Sequence, residues 1–192
     1  MSLADFPDVF LTDRLRAERM RREHLPFITR MHADPDVMAT MGGTRDAAAS
    51  RLYLAQNESH WADHGYGMYV LQTREDGATA GRAGLKFTVT DDRAAIELAY
   101  AFEPGCWGRG YAFEISNALI ALGFKHLPVD ALCAVAIESN AASRRVLEKA
   151  GMRYVGKTAS DKSNAKVRYA ILREDWLALQ READARARPL PR

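Results

Sequence analysis

Apolar and polar residues alternate from Leu11 to Met20, with Leu15 and Ala17 set against Arg14, Arg16 and Glu18, which is the period of an edge strand. From Glu23 to Ala33 the spacing changes: Leu25, Ile28 and Met31 share one helical face. Pro26 falls in the first turn of that helix, where a missing N–H costs little, and Asp34-Pro35 stops it. A longer helix is predicted from Arg45 to His64, capped by Thr44. Two strands follow, Tyr66–Thr73 and Ala78–Thr90, joined by the hairpin signal Glu75-Asp76-Gly77. Ala94–Glu103 is a third strand. Gly110–His126 reads as a helix with Ala112, Ile115, Leu119 and Leu122 on one stripe. Asp130–Ile137 is apolar nearly throughout, the mark of a strand buried on both faces. Asn140–Ala150 is a helix with Gly151 at its C′ position. Arg153–Lys157 and Lys166–Leu172 are the last strands, and Glu174–Glu182 a final helix.

This order predicts an α/β (α+β) fold: one mixed sheet covered by helices. The step from Ala94 through the long helix to Ile137 has the spacing of a βαβ unit, which places a helix N-terminus beside two strand ends. At 192 residues, 47% hydrophobic and 27% charged, the chain has the balance of one globular domain, expected over residues 1–182. Residues 183–192 read as a disordered tail. A net charge of +2 is a poor footprint for nucleic acid but leaves room for an anionic small ligand. No apolar run is long enough for a membrane helix, and the start carries Asp5 and Asp8 rather than a basic leader. Cys106 and Cys133 make neither a disulfide framework nor a thiolate metal site, so a reducing cytoplasm is expected.

Chemistry concentrates in Glu103-Pro104-Gly105-Cys106-Trp107-Gly108-Arg109-Gly110-Tyr111-Ala112, which joins a strand to the long helix. Gly108 and Gly110 permit a tight turn and close approach of a ligand, and the free N–H groups of the following helical turn suit an anion. Arg109 adds charge. The segment lacks the Gly-Lys-Ser/Thr of a triphosphate loop, and Phe113 stands where a dinucleotide fingerprint needs its third glycine. Elsewhere, His60 and His64 have a metal-compatible spacing but no third ligand, and read as surface histidines. No metal is expected.

Gly108-Arg109-Gly110-Tyr111-Ala112 resembles the Gln/Arg-x-x-Gly-x-Gly/Ala loop of the GNAT superfamily of acetyl-CoA-dependent N-acetyltransferases. With Trp107 before it, the loop is similar to that of the branch that acetylates ribosomal-protein N-termini. Leu11–Leu15, Asp34–Met38 with Met41-Gly42-Gly43, Gly81–Leu85, Glu97-Leu98-Ala99-Tyr100, Asn140–Met152 and Leu172–Trp176 resemble further segments of that branch in collinear order. The resemblance implies a sheet whose parallel pair splays, with pantetheine in the gap beside Ala101-Phe102. The Phe102 N–H then holds the thioester carbonyl, and the pyrophosphate sits on Trp107, Gly108, Arg109, Gly110, Tyr111 and Ala112. Asn140 reads as a helix cap and Ser143 as a first-turn residue; the resemblance adds that Asn140 bonds pantetheine and that Ser143 protonates the departing thiolate.

Glu97 is the candidate base, acting through water, against the plainer reading of an exposed strand glutamate. Asp161, Tyr100 and Tyr111 are weaker acid candidates. Cys106 precedes the loop but has no indicated base, so a small turn residue is the better reading. The implied partners are acetyl-CoA and a primary amine. A protein N-terminal α-amine, with a pKa of about 7.7–8.0, needs less help than a lysine at about 10.4. Trp61, Met41 and Tyr66 are candidates to line the acceptor side, and a homodimer is left open. The competing readings are a non-catalytic acyl-CoA sensor and a nucleotide-binding module.

Overall fold

The computed structural model describes residues 5–90, 93–158 and 165–187. Its centre is an eight-stranded sheet in the order β1-β2-β3-β4-β5-β6-β8-β7. The strands are β1 (Val9–Leu11), β2 (Leu15–Arg19), β3 (Met68–Thr73), β4 (Thr79–Thr90), β5 (Arg93–Phe102), β6 (Ala131–Ile137), β7 (Arg153–Lys157) and β8 (Lys166–Leu172). Every neighbouring pair is antiparallel except β5 and β6, which run parallel. The helices are α1 (Leu25–Ala33), α2 (Pro35–Met38), α3 (Ala47–His64), α4 (Tyr111–His126), α5 (Ala141–Lys149) and α6 (Arg173–Ala187). The expected mixed sheet and the β5–α4–β6 crossover are therefore present.

Strand alternation sorts the core into two layers. Leu85, Ile96, Leu98, Phe102, Leu132 and Ala134 meet Ile115, Leu119 and Phe124 of α4 and Leu147 of α5. On the other face Met68, Val70 and Ala101 meet Ile28 and Met31 of α1, Met38 of α2 and Leu54 of α3. Trp61, near the far end of α3, joins the α4 layer, its Nε1 donating to the Met68 carbonyl at 3.0 Å.

Several boundaries differ from the sequence reading for physical reasons. The expected single edge strand 11–20 is a hairpin: Thr12 N–H bonds the Leu15 carbonyl at 2.9 Å, the chain reverses there, and β1 becomes the edge. Asp46, not Thr44, caps α3, its carboxylate accepting from Ala49 N–H at 2.7 Å, because an Asp at Ncap reaches the free N3 amide directly. The buried face of α4 runs through Tyr111, Ile115, Ser116, Leu119, Ile120, Gly123 and Phe124, with Ala112 and Leu122 at its margin. Gly123 belongs there because a Cβ would stand 2.8 Å from Leu85 and 2.9 Å from Leu132. The final helix runs to Ala187, so the first part of the expected tail is helical.

Gly81 of β4 sets how closely β5 approaches. A Cβ built there would stand 2.3 Å from the Ala101 carbonyl and 2.9 Å from Phe102 Cα, backbone that cannot swing aside. Gly81→Ala is expected to destabilise the fold by about 1–3 kcal/mol, seen as a lower urea midpoint at unchanged m-value.

Candidate functional site

Where β5 and β6 meet, register pairing is confined to Glu97 with Cys133 and Leu98 with Ala134. Both strands continue past that point, β5 to Phe102 and β6 to Ile137, without further pairing. The other edge of β5 stays fully paired to β4 as far as Phe102. Glu103 N–H bonds the Ala80 carbonyl at 2.9 Å, so the alternation of antiparallel bonds gives Ala101 to Arg82 and leaves Phe102 and Tyr100 facing away from β4. Their N–H groups therefore open into the wedge between β5 and β6.

Beyond the wedge, Glu103 leads through a short 3-10 turn (Pro104–Cys106) to the glycine loop. Gly108 and Gly110 have φ of +72° and +81°, values that an L side chain adopts only with strain. Gly110 is the Ncap of α4 and supplies no side-chain cap, so the first-turn amides of the helix lie open at an exposed loop. Trp107 is half-exposed, but its Nε1 donates to the Phe102 carbonyl at 2.8 Å and ties the loop to the strand end.

The loop is braced from a distant part of the chain. Glu114, in the first turn of α4, accepts from the Thr12 hydroxyl at 2.5 Å, the Arg14 N–H at 2.7 Å and Arg14 Nε at 2.7 Å. The same guanidinium donates to the Arg109 carbonyl at 2.8 Å. Arg14 and Arg109 both lie against the Tyr111 ring, 4.9 and 5.6 Å from its centroid. Burial alone would raise the Glu114 carboxyl, but the bonds from Thr12 and Arg14 outweigh it and hold it below the usual carboxylate range.

On the far side of the wedge, Asn140 caps α5 by accepting the Ser143 N–H at 3.0 Å, as expected. The Ser143 hydroxyl lies 3.0 Å from the Tyr100 hydroxyl. Burial pushes the Tyr100 phenol up to about 12, so it stays protonated at neutral pH.

The acetyltransferase (GNAT) domain family matches residues 14–153. The chain belongs to the GNAT acetyltransferase family. It is therefore an acyltransferase, and its donor substrate is acetyl-CoA. Among its relatives, YkkB of Bacillus subtilis is 29% identical over 145 residues, which is 75% of this chain and 84% of that protein. FsC-acetyl coenzyme A-N(2)-transacetylase of Aspergillus fumigatus is 25% identical over 197 residues, 94% of this chain and 83% of that one. The fold is shared with RimL, a ribosomal L7/L12 α-N-protein acetyltransferase solved with coenzyme A, at a TM-score of 0.72 and 15% identity, covering 85% of this chain and 97% of that one.

Set against this GNAT frame, the site residues picked out in the sequence fall into two groups. Ala101, Phe102, Trp107, Gly108, Arg109, Gly110, Tyr111 and Ala112 lie along one path from wedge to helix, with Tyr100 just before it on β5 and Asn140 and Ser143 across the wedge at the start of α5. Glu97 lies back along β5, on the α1–α3 face of the sheet, its carboxylate 3.2 Å from Lys86 Nζ. Its side chain is only 14% exposed, so it is not an open strand glutamate. Asp161 lies outside the described residues. Burial pushes the Cys106 thiol up, with the Glu103 carboxylate adding to it, and pushes Cys133 up to about 11, which makes neither a ready nucleophile.

His60 is half-buried rather than a free surface group, bonded to the Tyr66 carbonyl at 2.9 Å and the Phe87 N–H at 2.8 Å. Among the described residues no group of three or more His, Cys, Asp or Glu could hold a metal ion, and no helix is long and apolar enough to cross a membrane. Trp61 and Tyr66 are core residues of the α4 layer. The residues that sequence reading left without a role are Thr12, Arg14 and Glu114. Their partnership spans about a hundred positions of chain and leaves no local signal.

Glu114→Gln keeps one oxygen to accept from Thr12 and the Arg14 N–H, but it removes the charge and sets an NH2 against Arg14 Nε. Glu114→Gln is expected to cost about 1–3 kcal/mol at pH 7. The folded carboxyl lies below its unfolded value of about 4.3, so the wild-type advantage is full above that pH and fades as the pH drops through the folded pKa. Urea unfolding of both proteins from pH 7 to pH 3 measures it.

Proposed function

We infer that the chain transfers the acetyl group of acetyl-CoA directly to a primary amine, with the donor laid along the wedge and the glycine loop. The observation that carries this reading is the loss of β5–β6 pairing beyond Leu98 and Ala134, with the Phe102 N–H left facing the opening. Pantetheine amides fill the wedge and satisfy the freed backbone groups. The pyrophosphate rests on the amides of Gly108 to Ala112, with Arg109 and Arg14 close by. The Phe102 N–H holds the thioester carbonyl and stabilises the oxyanion as it forms.

The two side-chain roles fall on opposite faces of the sheet, which suits a displacement. The amine nitrogen attacks the carbonyl carbon from the side of Glu97, which takes the ammonium proton through water. The carbon–sulfur bond breaks toward Ser143, whose hydroxyl, held by Tyr100, protonates the thiolate and regains a proton from water. The products are an amide and the free thiol. The acceptor is either a protein N-terminal α-amine, as the likeness to the ribosomal-protein branch favours, or a small-molecule amine. The names of the relatives span a ribosomal-protein α-N-acetyltransferase and an N(2)-transacetylase of FsC.

Gly110→Glu places a carboxylate beside the loop and within reach of Arg14, whose guanidinium would stand 3.3 Å from the new Cβ. It is expected to weaken CoA binding at least about tenfold by calorimetry. Gly110→Ala, with the same backbone strain and no charge, retains most of the affinity. Equal affinity in the two variants overturns the placement of the pyrophosphate. Ser143→Ala and Glu97→Gln are each expected to lower kcat about tenfold or more while leaving CoA affinity unchanged. Full turnover in either removes that residue from the mechanism.

A further inference from the structure

Arg82, on the middle of β4, is only 4% exposed. Among the described residues no carboxylate pairs with it. Its guanidinium donates to the Tyr53 hydroxyl at 2.6 Å, lies 4.7 Å from the Tyr53 ring centroid, and rests on the Met41 sulfur at 3.6 Å. Among the described residues Nε has no hydrogen-bond partner. A buried cation left with a phenol, a thioether and an orphan N–H is an expensive arrangement, because each missing charge-assisted bond forfeits desolvation that nothing offsets. A thioether is a weak acceptor, easily displaced by a carboxylate.

The surroundings add no negative charge. His32 is fully buried, and burial with the Arg82 and Arg45 charges pulls it down to about 4, so it is neutral. The Ser50 hydroxyl donates to the Asp46 carbonyl, so it accepts from His32 Nδ1 at 3.0 Å and leaves Nε2 bare, a second orphan. Arg45 stacks on the same Tyr53 ring, 5.6 Å from its centroid. The carboxylate of Glu103 is already held by Arg30. Met41 precedes Gly42 and Gly43, both with φ near +90°, in the link between α2 and α3.

Position gives these orphans their meaning. Arg82 is register-paired with Ala101, the residue before Phe102, so their Cα atoms stand about 5.5 Å apart. Its side chain shares the α1–α3 face with Glu97, the face from which the amine approaches. We propose that Arg82 is the acceptor-recognition residue of this enzyme: it binds a carboxylate carried by the amine substrate, in place of the Met41 sulfur. The acceptor is then an amino acid or an acidic peptide rather than a polyamine or another polycation, which Arg82 and Arg45 would repel. The proposal rests on the donor placement given above.

The test uses acceptor pairs that differ in one group: glycine against glycinamide, and a tripeptide beginning with Asp against the same peptide beginning with Asn, with spermidine as cationic control. Thiol release from acetyl-CoA gives kcat/KM, and the melting temperature of the CoA complex reports binding of the same compounds. Wild type is expected to favour the carboxylate member by at least about tenfold. In Arg82→Met that preference falls to within about twofold, with CoA affinity by calorimetry unchanged. Arg82→Lys, which keeps the charge but not the fork, lies between. The melting temperature of ligand-free Arg82→Met is expected to equal or exceed that of wild type, since it removes an uncompensated buried charge.

Equal treatment of both members by wild type, as when one buried water serves the two orphans, overturns the proposal. So does a preference that survives in Arg82→Met, or a variant that melts lower and loses CoA affinity together. A failure of the donor placement appears instead in the Gly110 variants, whereas a failure here appears only in the acceptor ratio.

Discussion

β5 must satisfy one neighbour and refuse the other. Its β4 edge is hydrogen-bonded to the end, while its β6 edge stops pairing at Leu98. A strand edge with free N–H and C=O groups inside a protein costs free energy unless something fills it. An extended molecule rich in amides would meet that demand. The rest of the architecture serves to hold the wedge open. Gly81 lets β4 clasp β5 closely, α4 and α5 cover one face, and Trp107 pins the carbonyl at the strand end.

An acid in the first turn of α4 suits the helix dipole but works against an anion site. The fold resolves this by spending the charge of Glu114 on Thr12 and Arg14. The pairing leaves the helix N-terminus positive on the loop side and brings a second guanidinium to it, beside Arg109. One contact thus ties α4 to the first hairpin and sets the charge beside the turn.

Much of this was legible in the chain because it is local. The Gly108-Arg109-Gly110 turn, the cap at Asn140, the C′ glycine at 151 and the βαβ spacing each depend on residues a few positions apart. What was misread depended on partners elsewhere. Thr12 to Arg14 look like strand by alternation, yet they are the bend that meets Glu114. Thr44 is a good cap by type, but Asp46 is the one within reach of a free amide. The stripe on α4 turned toward Gly123 because Leu85 and Leu132 need the room. Arg82 was silent, since a basic residue in a strand ordinarily faces water; only the layer of α1 to α3 above it shows that it does not.

The brace between Glu114 and the first hairpin joins segments that leave the ribosome about a hundred residues apart. Contacts so distant close late, after the loop entropy between them has been overcome. The brace itself cannot form until α4 has been synthesised and docked. In the finished molecule the first hairpin is mechanically part of the glycine-loop end of the enzyme, although the primary structure sets it about a hundred residues away.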